Sequence, residues 1–202
     1  MLAQEMASYI SNAKCDDLSQ EAIKQLKIRL LDSMGTAIGA VEGPPVEALR
    51  TMINDFGGTG LSSLIGGGKT APDRAALYHS ALVRYLDYND SYLAKGETCH
   101  PSDNIGSILA AGEDNNIDGK TFLTALALAY QVQCRLSDEA PVRDKGFDHT
   151  TQGSYAVAAS VAKALGLDET RTANALAIAG TALNALRVTR TGALSNWKGL
   201  AY

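Results

Sequence analysis

Apolar residues recur at helical spacing along most of the chain. Ile23, Leu26, Leu30, Leu31, Met34 and Ile38 share one face of a predicted helix over Leu18 to Ala40, with Ser19 placed to cap it. Gly43-Pro44-Pro45 stops that helix, and Pro45 opens another running to about Phe56. Pro72 begins a helix carrying Ala75, Leu77, Leu82, Val83 and Leu86. Ile105 to Glu113, Leu123 to Leu136, Ser154 to Leu165 and Glu169 to Leu183 complete the series. Alanine and glycine on these faces allow close helix–helix contact, so the pattern predicts an all-α compact helical bundle. The exception is Gly57 to Thr70, where Leu61, Leu64 and Ile65 lie between glycines and predict a short strand or extended connection.

Composition narrows the function classes. The 202 residues are 46% hydrophobic and 20% charged, with formal net charge −4. That suits one large globular domain or two small ones and, with no Lys/Arg-rich run, argues against nucleic acid as a partner. The most apolar stretch, Thr121 to Leu136, is interrupted by Gln131, Gln133 and Arg135, so it reads as a buried core helix and no membrane partner is expected. The N-terminus lacks a basic start followed by an apolar core, which points to a cytoplasmic location. Cys15, Cys99 and Cys134 are spread along the chain with no CxxC pair, so reduced thiols are expected and a clustered-cysteine metal site is not. Gly67-Gly68-Lys69-Thr70 supplies only the ending of a phosphate loop, and turn chemistry explains it better.

Candidate chemistry gathers in three loops. Asp87-Tyr88-Asn89-Asp90-Ser91 and Thr98-Cys99-His100-Pro101-Ser102-Asp103 lie between two helices and are dense in proton-moving groups. Pro101 suits a first helical turn, which places His100 at a positive helix N-terminus that favours neutral imidazole and attracts carboxylates. The competing explanation is that His100 and Asp87 merely cap helices. Arg143 to Gly153 repeats the arrangement with His149, whereas His79, inside a helix, reads as a structural or surface residue. Arg187, Arg190 and Lys198, among Thr189, Thr191 and Ser195, suit either a carboxylate pocket or a solvated basic segment, and the latter fits Arg187 and Arg190 better when each is taken separately.

Five ordered blocks carry a resemblance: LLDSMGTAIGA at Leu30–Ala40, YLDYNDSY at Tyr85–Tyr92, TCHPSDNIGSILAAGE at Thr98–Glu113, GFDHTTQGSYAVAAS at Gly146–Ser160 and WKGLAY at Trp197–Tyr202. Together they resemble the MmgE/PrpD family, which includes 2-methylcitrate dehydratase, cis-aconitate decarboxylase and an iminodisuccinate epimerase. The resemblance implies that residues 1–202 form a single helical domain, the N-terminal part of a two-domain enzyme whose α/β lid is absent from this chain. It further implies a homodimer and a site that takes small di- or tricarboxylates without metal or cofactor. By matching motifs the family's aspartate falls on Asp87, with Asp90 as an alternative match; its histidines fall on His100 and His149, and its late lysine on Lys198. Ser91 stands where threonine is common, and Thr98 is a further candidate substrate contact.

The expected activity is a carbon–oxygen lyase like 2-methylcitrate dehydratase. His100 or His149 would serve as base or acid, oriented by Asp87, with Lys198 and Arg187 holding carboxylates. Decarboxylation or epimerisation could use the same groups, and a non-catalytic helical dimerisation scaffold is the rival from another class.

Overall fold

The computed structural model describes residues 2–182, 184–190 and 200. Among the described residues eight helices carry the architecture: α1 (Leu2–Asn12), α2 (Gln20–Gly39), α3 (Pro44–Phe56), α4 (Pro72–Tyr85), α5 (Ile105–Asp114), α6 (Gly119–Glu139), α7 (Thr150–Ala164) and α8 (Glu169–Ala182). The all-α reading holds. Helix α1 lies outside the helices that the sequence pattern predicts, and it buries Ala7 and Ile10. Two short antiparallel hairpins interrupt the helices: β1 (Ser62–Ser63) with β2 (Lys69–Thr70), and β3 (Tyr92–Ala94) with β4 (Glu97–Cys99). Among the described residues no helix is long and apolar enough to cross a membrane.

Local chemistry sets the helix ends. The Ser19 hydroxyl accepts from Ala22 N at 3.1 Å and starts α2, as its sequence position predicts, and Asp118 does the same for α6 through Thr121 N at 2.8 Å. Gly66, Gly67 and Gly68 all hold positive φ between β1 and β2, so in the GGGKT stretch the glycines make the hairpin turn and Lys69-Thr70 the returning strand.

Three apolar cores fill the molecule. One gathers Ala37, Val46, Leu49, Ile53, Leu64 and Leu82 from α2, α3, α4 and the first hairpin. A second joins Leu26, Ile105, Ile108, Leu126 and Ala164 around α5, and a third joins Ile10, Leu128, Val132, Ala156 and Leu176 where α1, α6, α7 and α8 meet. Helices α6 and α7 meet through fully buried alanines such as Ala125, Ala129, Ala156 and Ala159, which let their backbones approach closely. Helices α4 and α5 are closer still: a Cβ on Gly106 would strike the Ser80 backbone nitrogen, which cannot swing aside as a side chain can. That contact fixes α5, and with it the chain just after His100.

His79 lies in α4 and is 5% exposed, its Nε2 accepting from Ile65 N at 3.3 Å. Burial, partly offset by the nearby Glu113, lowers its pKa from 6.5 to about 4. Its burial decides between the two readings in favour of the structural one. A folded pKa below the unfolded one means the unfolded chain binds the proton first. The stability His79 contributes is therefore complete above pH 6.5 and is lost as pH falls towards 4. The expected loss is about 2–3 kcal/mol. Unfolding free energies at pH 7 and pH 4 should show it in the native chain and show a clearly smaller difference in His79→Gln; equal differences would remove His79 as the cause.

Candidate functional site

The two loops that sequence reasoning singled out come together. The rings of His100 and His149 stand 5.2 Å apart between centroids at 70°, edge towards face. His100 precedes a 3-10 turn over Pro101–Asn104 that leads into α5, and His149 precedes α7. Neither side chain makes a capping hydrogen bond, so the capping explanation fails for both histidines.

Each ring has its own support. His100 Nδ1 lies 2.8 Å from the Asp90 backbone carbonyl and 3.3 Å from Ser91 Oγ. A carbonyl only accepts, so Nδ1 carries the proton and the lone pair sits on Nε2. Burial first, then the Arg84 guanidinium, lowers the pKa of His100 below the ordinary imidazole value, against a smaller opposing pull from Asp90 and Asp87. The ring is thus neutral around pH 7. His149 is 3% exposed and its Nδ1 lies 3.5 Å from Asp148 Oδ1. Asp148 is itself buried; its other oxygen lies 3.4 Å from Arg187 Nη1, and its backbone N–H donates to Ala185 O at 2.9 Å.

A buried polar frame holds the first loop. Arg84 on α4 pairs with Asp87 and places Nε 3.5 Å from Asp103 Oδ2. Asn89 donates to Asp103 Oδ1 at 2.6 Å and to Ser102 Oγ at 3.0 Å. The Tyr130 hydroxyl donates to Asp90 Oδ2 at 2.6 Å while Ser102 N donates to Asp90 Oδ1 at 3.1 Å. Asn104 donates to Gln133 Oε1 at 2.6 Å and ties the turn to α6.

A second carboxylate joins the loops to each other. Glu97 on β4, 3% exposed, accepts from Val142 N at 3.1 Å and Arg143 N at 3.0 Å, with Arg143 Nε at 3.4 Å. Those residues begin the loop that ends at His149.

The other predicted site residues are distributed unevenly. Asp87 sits in left-handed backbone (φ 58°) just after α4, with its side chain 48% exposed beside Arg84. It acts on His100 through charge, while the bonds at Nδ1 come from Asp90 and Ser91. The carboxylate of Asp90 is engaged by Tyr130 and Ser102, which makes this residue a loop anchor. Ser91 is exposed at the His100 ring, and Thr98 stands on β4 opposite Leu93. Arg187 reaches the histidine pair through Asp148. Lys198, Thr191 and Ser195 lie outside the described residues, as does the Arg190 side chain. Sequence reasoning missed Asp148, Tyr130, Arg84 and Glu97; only Asp148, adjoining a candidate histidine, carried a local signal. Among the described residues no group of three or more His, Cys, Asp or Glu is placed to hold a metal ion.

Comparison with known proteins adds a family. The MmgE/PrpD N-terminal domain matches residues 4–202. A 2-methylcitrate dehydratase of Escherichia coli is 30% identical over 96% of this chain, which spans 43% of that protein. The mitochondrial 2-methylcitrate dehydratase of Yarrowia lipolytica is 28% identical over 94% of the chain and 38% of its own length. An alkylcitrate dehydratase from a fungal species is 31% identical, with 93% of this chain and 40% of the relative covered. The chain therefore spans less than half the length of these relatives.

The Glu97 seam is open to test. Glu97→Gln keeps the shape and removes the charge from hydrogen bonds that should each be worth about 1.5–3 kcal/mol. The urea midpoint is expected to drop by the equivalent of one such bond; an unmoved midpoint would show that the seam does not hold the loops.

Proposed function

The chain belongs to the MmgE/PrpD family, and from that we propose that it forms the histidine-bearing wall of a lyase site for a small di- or tricarboxylate, acting by dehydration. The observation that carries the reading is the pair of buried-side histidines 5.2 Å apart, drawn from separate loops and each oriented by an acceptor at Nδ1. Relatives named for the dehydration of 2-methylcitrate and an alkylcitrate support the substrate class.

In this reading His100 is the base. Its neutral ring presents the Nε2 lone pair, which takes the proton from the carbon next to a substrate carboxylate. Negative charge then develops on that carboxylate, and Arg187 and Lys198 are assigned to stabilise it. His149 gives a proton to the departing hydroxyl, which leaves as water, with Asp148 beside Nδ1 compensating the ring's charge in the protonated state. Ser91 contacts substrate at the exposed edge of the His100 ring. No metal enters this sequence of steps. The relatives are more than twice as long as the matched region, and the reading places the facing wall of the site in their remaining length. Closure of that wall would exclude water and complete the carboxylate contacts, and the working form is proposed to be a homodimer.

The test uses the full-length enzyme with 2-methylcitrate. His100→Asn should lower kcat by about 10²–10⁴-fold with little change in KM, the range typical of a lost general base. The acid limb of kcat/KM should fall below pH 6.5, because the His100 pKa is lowered from that value. Undiminished turnover in His100→Asn would remove His100 from the mechanism.

A further inference from the structure

Helix α6 is an apolar run broken by polar side chains, three of which reach the same stretch of chain. Tyr130, Gln133 and Asp138 follow one another over little more than two turns. Each meets a different part of the segment between α4 and α5. The Tyr130 hydroxyl donates to Asp90 Oδ2 at 2.6 Å, ahead of the second hairpin. Asp138 Oδ2 accepts from the Tyr92 hydroxyl at 2.8 Å, on β3. Gln133 Oε1 accepts from Asn104 Nδ2 at 2.6 Å, at the end of the 3-10 turn. Gln133 is fully buried, and an amide so placed is costly without a partner. The helix thus holds the whole His100 segment, front to back.

Of the three contacts, the one at Tyr130 lies nearest the ring. Asp90 is held at both carboxylate oxygens, by Tyr130 from α6 and by Ser102 N from the 3-10 turn at 3.1 Å. One hydrogen bond lets a carboxylate turn about it, whereas two from separate elements fix it. The carbonyl of the same residue meets His100 Nδ1 at 2.8 Å. A neutral imidazole keeps its proton on the nitrogen that faces an acceptor. Ser91 Oγ, at 3.3 Å from the same nitrogen, both donates and accepts, so it imposes neither form by itself. The choice therefore falls to the Asp90 carbonyl. Burial first, then the Asp90 charge, raises the pKa of the Tyr130 phenol, which keeps it a donor at neutral pH.

We propose that Tyr130 is a positioning residue for His100: its hydroxyl, acting through Asp90, keeps the proton on Nδ1 and leaves the Nε2 lone pair free to act as base. Without the phenol oxygen, Asp90 retains the bond from Ser102 N and can turn about it, and its carbonyl no longer faces Nδ1 at all times. The consequence for turnover rests on the function proposed above, whereas the position of the ring's proton does not.

Tyr130→Phe removes the oxygen and keeps the ring. Nitrogen-15 correlation spectra of the histidine side chains show which nitrogen of His100 carries the proton. The native chain should show the Nδ1–H form, and Tyr130→Phe should show it mixed with the Nε2–H form. Asp90→Asn, which keeps the carbonyl and weakens the side-chain bonds, should move the spectra in the same direction. Ile53→Val, in the first core, controls for lost stability alone and should match the parent. Unchanged His100 signals in both loop variants overturn the proposal, and so does an equal change in Ile53→Val. In the full-length enzyme with 2-methylcitrate, Tyr130→Phe should lower kcat about 10–100-fold, the scale of an ångström-sized misplacement, with KM little changed. A shifted proton with unchanged kcat overturns the link to turnover. A parent enzyme inactive towards 2-methylcitrate would instead count against the proposed function, while the proton's position is still read in the spectra.

Discussion

The Glu97 carboxylate joins two loops that share no other secondary structure. It is buried, and it accepts the backbone N–H groups of Val142 and Arg143. Burying a carboxylate is costly unless hydrogen bonds replace the lost water, so these bonds are satisfied as a set or the loops part. One side of the seam continues from β4 into His100, and the other runs through the 3-10 turn at Arg143–Lys145 to His149. In a bundle built from helices, the distance between the two rings is set by this polar join and by the alanine-lined contact of α6 with α7.

The two histidines are placed by similar means but in different surroundings. His100 receives a main-chain carbonyl at Nδ1 and lies near the Arg84 charge, which keeps the ring neutral. His149 has a buried carboxylate at the same atom, itself shared with Arg187. Two rings alike in chemistry thus differ in what meets Nδ1, a main-chain carbonyl at His100 and a buried carboxylate at His149.

Much of this was legible in the sequence. The helical stripe of α2, its Ser19 cap, the stop at Gly43-Pro44 and the run that became α6 follow from short-range rules, and those rules operate within a few residues. His100 and His149 stood out because each lies in a polar loop just ahead of a helix. The residues that went unread act over long range. Tyr130 sits inside an apolar helical run and shows no sign that its hydroxyl meets Asp90 forty residues earlier. The role of Glu97 depends on how β4 docks, and a three-residue strand leaves no periodicity to read. Asp87 was chosen for its place in a motif, yet its left-handed backbone after α4 gives it the work of ending a helix.

Asp90 uses its two acceptors for different ends. Its carboxylate is fixed by Tyr130 and Ser102, and its carbonyl steadies His100. The ring is therefore set by main chain, which side-chain substitution in the loop leaves in place as long as the anchor survives. The neighbouring Ser91 is exposed and adds the longer of the two contacts at Nδ1, 3.3 Å against 2.8 Å for the carbonyl. Within this loop, then, the main-chain support of the ring and an exposed hydroxyl are carried by adjacent residues, Asp90 and Ser91. That separation lets a lineage change the exposed position and keep the carbonyl that steadies the ring.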